Sequence, residues 1–244
     1  MIEKLEEFFS DVHQYQHYSG IMPRPDEYNN WTTDKSIRRK YAAWITQHSN
    51  CPSLKLDIEF PHQEVLSEVL RIQDRFVKHR GSMHPGWCSM CIHGVNTETT
   101  NDWRAEEYSF SEKPVMDWCD IADDCPTTKQ WLSDVWPAES FDRVRFMLLE
   151  PGGYIQPHQD YDTRSLSAVN IAVNNPAGCM FGMEEAGEIP WQPGDVRAID
   201  IGRRHSVWNT STQNRIHIII HSNHNPEYFE LLCRSYDRLL ESLK

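Results

Sequence analysis

Arg143-Val144-Arg145-Phe146-Met147-Leu148-Leu149-Glu150-Pro151-Gly152-Gly153-Tyr154-Ile155-Gln156-Pro157-His158-Gln159-Asp160 reads as strand, turn and strand, ending in metal-ligating side chains. Arg143 to Glu150 alternates as a strand does, Pro151-Gly152-Gly153 is a turn, and Tyr154 to Gln156 resumes the extended chain. In an extended segment side chains i and i+2 point the same way, so His158 and Asp160 share one face. His205 sits at a second strand end, and Arg215 follows ten residues later in the next strand. Two histidines and one carboxylate on a common face hold Fe(II) from one side and leave the remaining positions open for a chelating acid and O₂.

A bare His-x-Asp arises by chance in a chain with twelve histidines, so its setting carries the weight. Gln192-Pro193-Gly194-Asp195 is a further turn, leading into a strand from Val196 to Ile201 and then to His205. Metal ligands at strand ends beside tight turns predict a small antiparallel barrel. Along Ser167 to Val173, Val169, Ile171 and Val173 fall on one face and Ala168, Asn170 and Ala172 on the other. The second face is small and polar, so it lines a cavity. Asn170 is then placed either to hydrogen-bond a bound cosubstrate or to satisfy a neighbouring strand or turn.

Arg215 to His221 repeats this pattern, with Ile216, Ile218 and Ile220 packing under helices and Arg215, His217 and His221 facing inward. A guanidinium inside a barrel is costly unless an anion meets it, and a carboxylate meets it with two parallel hydrogen bonds. An internal ion pair is the competing reading for Arg215. His217 is placed either to touch the cosubstrate or to sit as a hydrogen-bonded core histidine, the second being the preferred reading.

The chain has 244 residues, of which 39% are hydrophobic, enough to bury one good-sized core as a single domain over 1–244. A formal charge of −12 argues against general nucleic-acid binding. The opening segment, Met1 to Phe8, has neither a basic start nor an apolar run, and no stretch is long enough to cross a membrane. A cytoplasmic protein with no membrane partner is expected. Seven cysteines without a secretion signal read as reduced thiols. Cys88 and Cys91 have the spacing of half a zinc ribbon, but Cys119 and Cys125 do not complete it, so Trp87 to Ile92 reads as a buried strand.

Residues 1–140 are read as helical and strand additions, 141–224 as the barrel, and 225–244 as a C-terminal helix. Val65, Leu66, Val69, Leu70, Ile72, Phe76 and Val77 keep helical period and predict one helix from Pro61 to Arg80. A shorter helix is expected over Pro126 to Trp136. At the end Asn225 caps and Pro226 starts a helix whose apolar face is Tyr228, Leu231, Leu232, Tyr236, Leu239 and Leu243. Trp103, Arg104, His93 and His84 precede the barrel, placed either to supply a substrate lid or to serve as packing and surface groups. Arg197, Arg203 and Arg204 form a basic cluster beside His205, set either to receive an acidic substrate or to balance the acidic surface.

The same segments resemble the aspartyl/asparaginyl β-hydroxylase family of iron- and 2-oxoglutarate-dependent oxygenases. The likeness runs through Arg143 to Gly153, the His158 motif, Trp191 to Asp195, His205-Ser206-Val207-Trp208-Asn209, Arg215 and His224-Asn225-Pro226-Glu227, with a weaker echo at Gly86-Trp87 and Trp136-Pro137. The resemblance implies a mainly β fold with α additions, a double-stranded β-helix of the jelly-roll, cupin-like kind with an N-terminal helical region and a C-terminal helix. It implies Fe(II) on His158, Asp160 and His205, and 2-oxoglutarate on Arg215, with Asn170 the further cosubstrate candidate from the strand reading. O₂ and 2-oxoglutarate would be consumed in hydroxylating an aspartyl or asparaginyl side chain of a peptide or protein, or a free amino acid such as proline. Some family members lack the carboxylate at Asp160; its presence here favours the complete iron site and weakens transfer of substrate identity. The rival readings are an iron dioxygenase that uses no 2-oxoglutarate, and a non-catalytic metal-binding or ligand-sensing module.

Overall fold

Leu5, Phe8, Phe9 and Val12 recur at helical spacing, and they are the buried face of α1 (Ile2–Val12). Asp34 accepts hydrogen bonds from the backbone N–H of Ser36 and Ile37 and so opens α2 (Lys35–His48). These N-terminal helices are followed by β1 (Ser53–Lys55), α3 (His62–Arg71), β2 (Val77–Lys78), β3 (Trp87–Gly94), β4 (Asp117–Trp118) and α4 (Pro126–Asp134). The computed structural model describes residues 2–80, 84–105 and 108–244.

The helix expected from Pro61 to Arg80 stops at Arg71, and a 3₁₀ turn at Gln73–Arg75 leads the chain into β2. Helical period continues through Phe76 and Val77, but strand pairing of Val77 with Ser89 and Lys78 with Cys88 overrides it, leaving Leu70 46% exposed. From α3 the buried Glu68 carboxylate accepts bonds from the N–H groups of Thr127 and Thr128, capping α4 across space. Among the described residues, the cysteines of β3 and their neighbours form no metal cluster; all seven cysteines are free thiols.

The second half is β5 (Ala138–Leu149), β6 (Tyr154–His158), β7 (Leu166–Ala172), β8 (Cys179–Met183), β9 (Gly187–Glu188), β10 (Val196–Asp200), β11 (His205–Asn209), β12 (Arg215–His224) and α5 (Pro226–Ser242). β5 begins five residues before the expected strand, as its first turns pair with the end of β12. The large sheet runs β1-β10-β7-β12-β5-β3-β2, with β4 on β3, and the small one runs β6-β11-β8-β9. From β5 to β12 the chain passes back and forth between the sheets, with β8 and β9 staying together in the small one, and every pairing is antiparallel. This is the winding of a double-stranded β-helix, with β1 to β4 added at the edges of the large sheet.

The outer face of the large sheet packs under α2, α3, α4 and α5 in the main core, which holds Val169, Ile171, Ile216 and Ile218. A smaller apolar cluster, including Ile155, Phe181, Trp191 and Val207, lies between the sheets. On the far side α1 covers the small sheet, close enough that a Cβ at Gly182 would sit 2.9 Å from the Phe9 ring. α5 is capped by Asn225, whose side chain accepts from Tyr228 N–H, and buries Tyr228, Leu231, Leu232 and Tyr236; Leu243, the residue just past its end, is exposed. Among the described residues no helix is long and apolar enough to cross a membrane.

Candidate active site

His158 is the last residue of β6 and His205 the first of β11, and the two are Cα partners across the strand pair. Asp160 lies just past the strand, anchored where its N–H donates to the Ile201 carbonyl at 3.0 Å. One ligand atom from each of the three lies within 4.8 Å of the others. His158 Nδ1 is 2.8 Å from the Gln156 carbonyl and His205 Nδ1 is 2.8 Å from the Arg203 carbonyl. A carbonyl can only accept, so each Nδ1 carries the proton and each Nε2 is left with a lone pair for a metal. The rings are 4.4 Å apart, and Phe181 stacks on His205 at 5.5 Å. Burial, then the neighbouring His158, pushes His205 down to about 4, which keeps it in the neutral form a metal requires. Two imidazole nitrogens and a carboxylate on one side of an open cavity suit Fe(II).

That cavity, about 280 Å³, lies between the sheets and includes Arg215, His217, Asn170 and Ala168 as well as the three ligating side chains. Arg215 is 6% exposed and has no carboxylate partner among the described residues; its Nε reaches Asn175 Oδ1 at 3.4 Å. Burial pulls its guanidinium down to about 10. Arg215 Nη2 lies 3.1 Å from His217 Nδ1, so His217 accepts there and carries its proton on Nε2. Among the described residues that buried Nε2 has no partner, nor has the Nε1 of Trp191, whose ring meets His217 edge-on at 4.7 Å. Unfilled donors beside a buried cation make a seat for an anionic oxygen ligand, and 2-oxoglutarate fits it. His217 is thus both the hydrogen-bonded core residue read from sequence and part of the cavity wall. Asn170 faces the cavity, and among the described residues none takes its amide.

The Arg197, Arg203 and Arg204 cluster is not an opening for an acidic substrate. Arg197 is buried on Asp195 at 2.9 Å, Arg203 on Asp200 at 3.2 Å, and Arg204 lies on the surface 3.7 Å from Glu184. The first two hold the turns on either side of β10. Trp103 and Arg104 line a second cavity of about 270 Å³ that shares Asp102, Arg143 and His221 with the first. His84 sits 6.0 Å from the His158 ring, whereas His93 packs between Trp118 and Phe141 and lines neither cavity. Sequence reasoning missed Arg143, Arg145 and His79, which also line the cavity of His158, Asp160 and His205. The alternation Arg143, Arg145, Met147 along β5 carries the same signal that placed Arg215, and applying it there finds the two arginines.

Residues 93–225 match the family model described as aspartyl/asparaginyl beta-hydroxylase. Among solved structures the fold is similar to a Pseudomonas putida prolyl-4-hydroxylase, at 14% identity, 75% of this chain, 99% of that one and a TM-score of 0.43. A Trichoplax adhaerens prolyl hydroxylase, crystallised with a peptide fragment of hypoxia inducible factor, is similar at 12% identity, 83% of this chain, 95% of that one and a TM-score of 0.45. A 2OG-Fe(II) oxygenase-family oxidoreductase from Burkholderia pseudomallei is similar at 13% identity, 78% of this chain, 93% of that one and a TM-score of 0.45. No curated protein sequence matches the chain.

Proposed function

Because the chain belongs to the aspartyl/asparaginyl β-hydroxylase family, whose model matches more than half its length, we propose that it is an Fe(II)- and 2-oxoglutarate-dependent hydroxylase of an aspartyl or asparaginyl side chain or of a free amino acid. The observation that carries this reading is the pairing of His158, Asp160 and His205 on one cavity wall with a buried, acid-free Arg215 in the same cavity. His158 and His205 present Nε2 lone pairs and Asp160 a carboxylate oxygen, from one side. When bound, iron with 2-oxoglutarate and O₂ supplies the oxidising power that places a hydroxyl on an unactivated carbon, with succinate and CO₂ as co-products.

The chain's own groups bind, orient and exclude. Arg215 takes the distal carboxylate of 2-oxoglutarate with its fork of N–H donors, and His217 Nε2–H adds a donor beside it. Asn170 offers its amide from β7, the strand paired with β12 in the same sheet. Phe181, Ile155, Val207 and Met147 surround the site with apolar wall that keeps water from the reacting centre. An iron dioxygenase that uses no 2-oxoglutarate has no use for Arg215, and a structural metal site would close its ligand sphere rather than face a cavity. Seven free thiols support a reducing, cytoplasmic setting.

The deciding experiment is mass spectrometry after anaerobic iron loading and exposure to O₂, with 2-oxoglutarate and a panel of amino acids and aspartyl or asparaginyl peptides. Succinate together with a product heavier by one oxygen is expected. Absence of iron-dependent succinate across the panel would sink the reading.

A further inference from the structure

Alternation along β5 sends Val144, Phe146 and Leu148 into the core under the helices and Arg143, Arg145 and Met147 toward the iron-site cavity. Arg145 is 5% exposed and Arg143 is half-buried, and neither has a carboxylate within ion-pair reach among the described residues. Arg145 donates to the Thr100 carbonyl at 2.8 Å and lies 3.0 Å from His221 Nε2, a neutral acceptor. Among the described residues the buried Nε of each guanidinium has no acceptor. Other buried arginines in this chain are differently placed: Arg197 and Arg203 sit on aspartates, and Arg215 has the cosubstrate to meet it. A pair of adjacent cations left without acids inside a chain of net charge −12 is a binding feature, because such burial costs several kcal/mol unless an anion arrives.

Position fixes what that anion belongs to. Across β12, Arg145 pairs with Ile219 and Arg143 with His221, four and six residues along from Arg215. At ~3.3 Å per residue the Arg145 end of the cavity is roughly 13 Å from the Arg215 end. The charge of Asp160 reaches Arg145, so the metal-ligating face borders this end. The second cavity, with Trp103 and Arg104, opens beside Arg143, so this is the end by which a substrate enters. Arg80 lines the same end of the cavity, and Asp102 acts on Arg143 and offsets part of the positive charge of the three arginines. The surplus positive charge at this end calls for an anion, and a carboxylate meets a guanidinium fork with two parallel hydrogen bonds.

We propose that Arg143 and Arg145 are the substrate's carboxylate-binding residues, holding it so that its carbon chain crosses the face of His158, Asp160 and His205 on the side away from Arg215. This rests on the hydroxylase reading and narrows it to substrates that carry a carboxylate beside the carbon to be hydroxylated. The carboxylate has two sources, the α-carboxylate of a free amino acid or the side chain of an aspartyl residue.

Calorimetric binding separates them with L-proline against L-prolinamide, and N-acetyl-L-aspartic α-amide against N-acetyl-L-asparagine amide. The titrations use the anaerobic protein loaded with Fe(II) and 2-oxoglutarate and, in parallel, the protein with no additions. At least one acid should bind 10-fold or more tighter than its uncharged-carbonyl counterpart, and which acid does so names the source. Arg143→Gln and Arg145→Gln should each remove most of that preference while changing the 2-oxoglutarate affinity less than about 3-fold, and Arg145→Lys should restore part of it. The proposal is overturned if wild-type protein prefers neither acid, if the preference survives in both Gln variants, or if 2-oxoglutarate displaces the acid competitively, which would put it on Arg215. Should Arg145→Gln fail to fold by circular dichroism, the half-buried Arg143→Gln decides. Failure of 2-oxoglutarate to bind wild-type protein would count against the hydroxylase reading alone, since the acid preference is still read on the protein without additions.

Discussion

The two faces of β12 are equally buried and energetically opposed. Ile216, Ile218 and Ile220 are 1%, 0% and 4% exposed, and Arg215 and His217 on the other face are 6% and 1%. Burying an isoleucine stabilises the fold by about 1.5–3 kcal/mol. Burying a guanidinium without an acid costs several kcal/mol. The same contrast runs along β5, with Val144, Phe146 and Leu148 against Arg143 and Arg145, and along β7, with Val169 and Ile171 against Ala168 and Asn170. Low exposure therefore marks the core on one side of a single sheet and a site awaiting ligands on the other. The outer face holds the barrel to its helices, which lets the inner face keep groups that would destabilise a protein held together less firmly.

If that division is right, substitutions on the two faces should separate function from stability. The largest effect belongs to the metal ligands: His205→Ala should weaken iron binding by more than about 100-fold and abolish succinate formation, read by metal titration and mass spectrometry, with the fold intact by circular dichroism. On the opposite face, Ile218→Ala should cost about 2–5 kcal/mol in urea unfolding while leaving the affinity for 2-oxoglutarate unchanged below the transition. A shift in that affinity would show that the faces are not independent.

Arg215→Met inverts the pattern. The apparent requirement for 2-oxoglutarate should rise about 10-fold or more, from the ~1.5–3 kcal/mol of a charge-assisted hydrogen bond, while metal affinity holds. Stability of the ligand-free protein should stay level or rise, since an uncompensated cation has been removed. A marked loss of stability would mean that Arg215 is an internal structural group.

The smallest effect is in pH. Burial, then Arg145, pushes His79 down to about 2 and His221 down to about 3, so both stay neutral in the folded chain. An unfolded histidine takes its proton near 6.5, so below that value the unfolded state binds more protons. Their contribution is complete above about pH 6.5 and is lost as pH falls toward the folded values, by up to about 1.4 kcal/mol per pH unit for each. Urea midpoints at pH 7.5 and 5.5 should show the loss, and His221→Gln should remove its share of the slope.

Much of this division could be read from residue order. The strand period put Arg215 and His217 inside and Ile216 and Ile218 outside, because a strand alternates faces whatever surrounds it. The turn at Pro151-Gly152-Gly153, the His158 motif and the Asn225-Pro226 helix start were likewise local, since turn and cap chemistry is settled within a few residues. The α1 and α2 helices were not read, because their apolar faces are short and their partners lie in the second half of the chain. The helix forecast to Arg80 failed where β3 claimed Val77 and Lys78 as strand partners.

By itself, then, the sequence determined alternation, turns, caps and the chemical types available for a site. Tertiary structure alone decided which of those types meet. His205 and His158 lie 47 residues apart and become strand neighbours through the winding of two sheets. Arg197 and Arg203 find aspartates and become structural, while Arg143, Arg145 and Arg215 find none and face the cavity. All five are the same residue type, and the difference lies in whether a carboxylate comes within reach in space, which long-range pairing sets and local sequence does not encode.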